Sequence, residues 1–283
     1  MTLPHVLILV GGLGTRLKSV VSDVPKPMAK IDGKPFLEQQ IEYLAKQGFR
    51  KFTLLAGHKG EIVSSHFKSG ENRELQIQTR IEEKLLGTGG AVRDAISELK
   101  DESFLVVNGD SMLVGDYQYF LKHADTQNEK TKHNADDVSR YEAGKIDSMY
   151  KVMAFEEKSK TAVGDGFINA GVYLLNRQIL SHLPSGVSSL ERDAFPKLVT
   201  EGSLKGIPVG GKFIDIGTPE SYDLAQAHLV QWLSESAKPS LFIDRDGTLI
   251  RHIHYLHKPE QVEIIPEMIE VLKLAKRNDW RAV

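Results

Sequence analysis

At 283 residues the chain can bury a full core, as one large domain or two smaller ones, and no apolar run in it approaches the length of a bilayer span. Its 38 acidic and 36 basic residues nearly cancel, which speaks against a nucleic-acid or membrane partner. Residues 1–12 lack a signal peptide's basic start and cleavage site, and with no cysteine there is neither disulfide nor thiolate chemistry, the profile of a cytoplasmic α/β protein.

Val6 to Val10 reads as a buried parallel strand followed at once by a glycine-rich turn. Leu37, Ile41 and Leu44 recur at the spacing of an amphipathic helix over Phe36 to Gly48, with Gly48 as its stop. A strand is expected over Lys51 to Ala56, a short helix over Glu61 to Phe67 and a period-two strand over Leu75 to Ile81. A helix over Gly89 to Leu99 and a buried strand over Phe104 to Val107 follow. This rhythm predicts a parallel sheet covered by helices on both faces. From Asp125 to Ser148 the composition turns polar, and a long irregular loop is expected there.

Strands are expected again over Tyr150 to Phe155 and Phe167 to Leu175, then a helix over Leu190 to Thr200. Two more strands follow, Leu204 to Val209 and Lys212 to Ile216. Thr218-Pro219-Glu220 has the hydroxyl and the proline of a helix start, and that helix runs to about Ser234. The polar residues 236–240 read as a linker between a domain over 1–235 and a second unit over 241–283. In that unit a strand over Leu241 to Ile243 precedes a helix over about Pro266 to Arg277. Some 45 residues are too few for an independent α/β domain, so the unit is expected to be cut short.

The turn after the first strand, Gly11-Gly12-Leu13-Gly14-Thr15-Arg16, lets backbone amides approach a phosphate, and Arg16 can fork onto phosphate oxygens. It is neither a Walker A loop, having no Gly-Lys-Ser/Thr, nor a dinucleotide fingerprint, since Leu17 stands where a third glycine belongs. Alone, it is equally well a tight strand-to-helix turn. Three further pieces accompany it: Pro25-Lys26-Pro27, the second glycine-rich turn Leu86-Gly87-Thr88-Gly89-Gly90, and Asn108-Gly109-Asp110 at the C-terminal end of a buried strand. Each alone is common, but together and in this order they are not.

The order G-G-x-G-T-R-L, P-K-P, L-G-T-G-G, N-G-D, F-E-E-K, N-A-G-V-Y and D-I-G-T-P-E resembles the sugar-1-phosphate nucleotidylyltransferases from Val6 to about Leu229. The run from Gly11 to Glu38 is most similar to their D-glycero-D-manno-heptose 1-phosphate guanylyltransferase branch. The resemblance implies a mainly parallel, Rossmann-like (GT-A-like) sheet and an enzyme that joins a nucleoside monophosphate to a sugar 1-phosphate. Such a product feeds nucleotide-sugar and surface glycan (lipopolysaccharide) synthesis. It implies that Arg16, with Gly11, Gly12, Leu13, Gly14 and Thr15, holds the triphosphate, and that Gly87 and Thr88 belong to the nucleotide site. Lys26 then neutralises the reacting phosphates, and Asp110 and Asp215 hold Mg²⁺. Asn108, Glu157, Lys158, Asn169 and Gly171 fall at sugar-phosphate positions. Asp215 as a simple strand terminator, and Glu157-Lys158 as an exposed charge pair, are the plainer alternatives.

Glu82 or Glu83 is placed to accept from the two donors on guanine's edge, which favours GTP, with a solvated acid as the equal alternative. Thr131-Lys132-His133, before Arg140-Tyr141, departs from the family's apolar segment at the edge of the sugar pocket. A mannose 1-phosphate guanylyltransferase, a hexose 1-phosphate uridylyl- or thymidylyltransferase and a non-catalytic nucleotide-sugar sensor are the competing readings. An oligomer is compatible with all of them. Phe242 to Thr248, with Asp244 and Asp246, resembles the first motif of the haloacid dehalogenase phosphatases, and His254 to Glu260 the substrate loop of the heptose bisphosphate phosphatases. Later motifs of that family are missing, so a phosphatase inactive in this chain is expected. His252, His254 and His257 lack a cysteine or carboxylate to complete a zinc site.

Overall fold

The apolar run at the start of the chain becomes strand β1 (His5–Leu9), with a parallel partner on either side. The structure, a computed structural model, describes residues 3–12, 17, 20–21, 23–69, 74–124, 129–135, 143–146, 151–156, 166–236, 240–252, 256, 258–278 and 280–282. A 3-10 turn over Lys26–Met28 leads into a hairpin of β2 (Lys30–Ile31) and β3 (Lys34–Pro35). Then come α1 (Phe36–Lys46), β4 (Lys51–Ala56), α2 (Gly60–Ser69), β5 (Gln76–Ile81), α3 (Gly87–Glu98) and β6 (Ser103–Asn108). Next are β7 (Ser111–Gly115), α4 (Tyr117–His123), β8 (Glu129–Ala135), β9 (Ala143–Ile146), β10 (Val152–Glu156) and β11 (Gly166–Asn176). A π-helical turn over Leu190–Ala194 runs into α5 (Phe195–Glu201), followed by β12 (Lys205–Pro208), β13 (Gly211–Asp215) and α6 (Pro219–Ser236). Two compact units result, Met1–Val230 and Gln231–Val283.

In the first unit the main sheet runs β10-β9-β11-β6-β1-β4-β5, with β8 joined to β11 and β12 to β8. The strands β6, β1, β4 and β5 are mutually parallel, while β11 lies antiparallel to β6. Successive side chains of a strand point to opposite faces. Leu7, Leu55, Phe104 and Val106 pack on one face with Val92, Ala95 and Ile96 of α3 and with Phe195 and Leu198 of α5. The alternate residues Val6, Ile8, Leu54, Leu105 and Val107 are equally buried, so both faces of β1, β4 and β6 are covered. That double burial is why these strands read as unbroken apolar runs rather than as alternation.

The loop expected over 125–148 is corrected by the structure, which forms β8 and β9 within it. The sequence Glu129-Lys130-Thr131-Lys132-His133-Asn134-Ala135 has no apolar face. It becomes a strand because its backbone pairs antiparallel with β11 on one side and parallel with β12 on the other. Main-chain hydrogen bonding leaves no hydropathy signature. The single helix expected over 190–200 likewise begins as a π-helical turn before α5.

The second unit pairs β14 (Ser240–Leu241) in parallel with β15 (Arg281–Ala282), with α7 (Pro266–Arg277) between them in the chain. This is a strand–helix–strand unit, in which a helical crossover is what parallel strands require. Its large apolar side chains are widely exposed: Phe242 is 78%, Leu274 59% and Trp280 47% accessible. No helix of the described residues is long and apolar enough to cross a membrane.

Candidate active site

Asp110 and Asp215 are 105 positions apart in sequence and are brought together by one strand pair. β7 and β13 run antiparallel with Ser111 opposite Asp215, and the Ile216 N–H donates to the Asp110 carbonyl at 3.0 Å. The turn carrying Asp110 is clamped from α1: Gln40 Nε2 donates to the carbonyls of Asn108 at 3.0 Å and Ser111 at 2.7 Å. Lys26 sits on the 3-10 turn, fixed between Pro25 and Pro27. The hairpin after it is held by α6, whose Tyr222 hydroxyl and Gln226 amide both donate to the Lys30 carbonyl, at 2.6 and 2.7 Å. The helix that begins just after Asp215 thus also fixes the segment carrying Lys26.

The result is a charge cluster at the C-terminal ends of the parallel strands, where open α/β sheets bind ligands. Lys26 Nζ donates to Asp110 Oδ2 at 2.6 Å and to Asp215 Oδ1 at 3.4 Å. The lysine side chain is only 8% exposed against 42% and 31% for the two carboxylates. An ammonium so buried needs opposite charge beside it, and two carboxylates so close together need a cation.

The cluster opens into a cavity of about 480 Å³ lined by Gly11, Gly12, Lys26, Glu82, Gly87, Thr88, Asn108 and Asp110, all singled out by sequence. Leu9, Pro27, Leu55, Leu85, Ala91, Glu191 and Gly217 complete its walls. The structure separates the two acids before the second glycine turn: Glu82 lines the cavity and Glu83 is exposed. Burial pushes the Glu82 carboxyl above the usual carboxylate range, against the opposing pull of the Leu86 N–H, which donates to Oε2 at 3.2 Å.

Gly87 and Thr88 are shaped by a distant segment. Gly87 has φ +72°, and a Cβ there would lie 2.5 Å from the Ser188 carbonyl oxygen. Ser188 ties the turn down, its N–H donating to Leu86 O at 2.9 Å and its carbonyl accepting from Gly89 N–H at 2.9 Å. The Thr88 hydroxyl donates to Glu191 Oε2 and accepts from the Leu190 N–H, at 2.8 and 2.9 Å. Ser189 adds a second hydroxyl to the same Glu191 oxygen at 2.8 Å. Sequence reading missed Glu191. An acid in the first turn of a helix reads as an ordinary partner of the helix dipole, and nothing in the local sequence shows its tie to Thr88.

Gly171, with φ +67°, sits on β11 beside Asn108: a Cβ there would lie 2.7 Å from Asn108 Nδ2. Asn169 does not line the cavity; its amide donates to the Tyr173 hydroxyl at 3.0 Å and its carbonyl oxygen accepts from Gly171 N–H at 3.1 Å. Leu13, Gly14, Thr15, Arg16, Glu157 and Lys158 lie outside the described residues, as do His254 and His257. In the second unit, the exposed Asp246 carboxylate is engaged by its neighbour Arg245 through two hydrogen bonds, at 2.8 and 2.9 Å. That guanidinium holds Asp246 below the ordinary carboxylate range. Among the described residues no group of three or more His, Cys, Asp and Glu side chains converges as a metal cage.

A family model described as nucleotidyl transferase matches residues 5–231. The D-glycero-alpha-D-manno-heptose 1-phosphate guanylyltransferase of Campylobacter jejuni is 37% identical over 220 residues, 76% of this chain and 96% of that protein. A protein of the same name from Aneurinibacillus thermoaerophilus is 36% identical over 231 residues, 80% of this chain and 99% of its own length. The crystal structure of HddC from Yersinia pseudotuberculosis complexed with GMP-PN is similar at a TM-score of 0.72 and 38% identity. That similarity covers 80% of this chain and all of the other.

Proposed function

Because the chain belongs to the nucleotidyl transferase family, we propose that its cavity transfers GMP from GTP to D-glycero-D-manno-heptose 1-phosphate. The sugar-phosphate oxygen attacks the α-phosphorus, the bond to the β-phosphate oxygen breaks, and pyrophosphate leaves with the bonding electrons. No covalent protein intermediate is needed, so the protein's contribution is positioning and charge neutralisation. The observation that carries this reading is the buried Lys26 ammonium between Asp110 and Asp215, at the mouth of a cavity walled by two glycine-rich turns. A non-catalytic nucleotide sensor has no use for such a charge centre.

The two carboxylates already converge on one cation, the lysine ammonium, which is the donor chemistry a hard divalent ion requires. Asp110 and Asp215 would hold Mg²⁺, which supplies charge stabilisation to phosphate oxygens when bound. Gly11 and Gly12, with the adjoining residues 13–16, present amides and Arg16 to the triphosphate. Lys26 places its positive charge toward the reacting phosphates. Glu82 accepts from the guanine N1 and N2 donors, a pair that uracil and thymine do not offer. Asn108, with Gly171 packed against its amide, and Glu157 and Lys158 form the sugar-phosphate side, while Asn169, outside the cavity wall, buttresses Gly171. In the second unit, Asp244 and Asp246, which precede α7 in a strand–helix–strand element, support a haloacid dehalogenase-like reading of that unit.

Pyrophosphate release tests this, with each nucleoside triphosphate run against heptose, mannose and glucose 1-phosphates in Mg²⁺. Release is expected with GTP and the heptose phosphate. It should fall by about 10² to 10³ in Lys26→Ala and Asp110→Ala, the usual cost of removing a group that stabilises transition-state charge. Release with another pair moves the substrate; no release from folded, nucleotide-binding protein favours the sensor.

A further inference from the structure

Lys26 already engages one oxygen of each carboxylate that would hold a divalent cation: its Nζ lies 2.6 Å from Asp110 Oδ2 and 3.4 Å from Asp215 Oδ1. We infer that Lys26 is a displaceable built-in cation of the Asp110–Asp215 pair, so that loading the divalent ion releases its ammonium into the phosphate end of the cavity. The inference rests on reading that pair as the divalent-cation site.

Three observations carry it. First, the two cations would share oxygens. Nζ lies within reach of Asp110 Oδ2 and Asp215 Oδ1, and a Cβ on Gly217 would come within 2.7 Å of Asp215 Oδ1 and 3.2 Å of Nζ, so the backbone at Gly217 closes one side of the pair. A divalent ion bound at about 2.0–2.6 Å from those oxygens would sit against Nζ, where repulsion between like charges is large. Second, the move is confined to a side chain. The backbone of Lys26 is locked by the Met28 N–H to Pro25 O bond at 2.8 Å and the Ala29 N–H to Lys26 O bond at 3.0 Å, while four flexible methylenes carry the charge. Third, there is somewhere to go: Lys26 shares the cavity wall with Gly11, Gly12 and Asn108.

The exchange makes metal and triphosphate mutual helpers. Each favours the position of Lys26 that the other needs, and by linkage the coupling is reciprocal. It also offsets part of the carboxylate pair's charge when no divalent ion is present.

The test is Mn²⁺ binding to the full chain without nucleotide, read by electron paramagnetic resonance. Removing the tethered competitor in Lys26→Met should tighten Mn²⁺ binding by about tenfold or more, while Lys26→Arg, which keeps the charge, should not. A second readout uses the wild-type protein. The rate of amine acetylation at Lys26, followed by mass spectrometry against the Glu42-paired Lys34, should rise when Mg²⁺ is added. Equal or weaker Mn²⁺ binding by folded Lys26→Met overturns the inference, and so does acetylation that stays flat or falls. If Lys26→Met does not fold, acetylation decides. Pyrophosphate release with flat acetylation sinks the exchange alone; absence of release and of Mn²⁺ binding sinks the underlying reading with it.

Discussion

Glu82 is held where burial opposes its charge and one backbone N–H supports it, and burial prevails. An acid whose folded-state pKa is raised takes up protons on folding. Its contribution is therefore most favourable below the unfolded pKa and is lost as pH rises through the raised one. At neutral pH the free protein carries that penalty, which guanine's two donors would relieve. Glu82→Gln should accordingly melt higher than wild type at pH 7, with the difference vanishing as the pH falls below the usual carboxylate range. The same change should cut discrimination for GTP over UTP by about tenfold to a hundredfold, roughly 1–3 kcal/mol for a missing base contact. Melting curves across pH and a competition assay check the two halves; an unchanged GTP preference would remove Glu82 from base recognition. Lys26, Thr88 and Asp110 were legible in the sequence because stiff or glycine-rich neighbours mark them. Glu191 was not, since its role comes from a threonine hydroxyl 103 positions away.

Among the elements, the glycine turn before α3 is shaped less by its own sequence than by Ser188 and the π-helical turn that presses on it. Gly87→Ala meets both a positive φ and the Ser188 carbonyl, and should cost at least about 1–2 kcal/mol for the backbone conformation alone. Denaturant titration should show that loss, and KM for the nucleotide should rise. An Ala variant as stable as wild type would mean that the turn relaxes. The strands β1, β4 and β6 were readable because both their faces are buried and apolar, and β5 by its alternation. β8 was not, being polar and held by backbone pairing on both sides. The short helix α4 carried a readable start in Asp116, whose carboxylate accepts from the Tyr119 N–H at 2.8 Å, but its brevity hid it among loops.

For the whole molecule, the contrast between the two units is one of burial. The first packs a continuous core, whereas among the described hydrophobic residues of the second only Ile250 and Ala275 are buried. Limited proteolysis should therefore cut within residues 237–283 first and leave residues 1–230 intact with pyrophosphate release unchanged. Equal protection of both units, seen by mass spectrometry of the fragments, would refute this. A strand–helix rhythm betrays an α/β class, while the meeting of distant side chains does not show in any local window. That long reach also has a temporal side. Lys26 meets Asp215 across 189 positions, and Tyr222 meets Lys30 across 192, so these ties wait until most of the first unit has left the ribosome. The parallel strands β1, β4, β5 and β6 are all made by residue 108 and can associate earlier. During synthesis the scaffold thus precedes its reaction centre, and a nascent chain stalled before residue 188 would fold toward a sheet with no chemistry to perform.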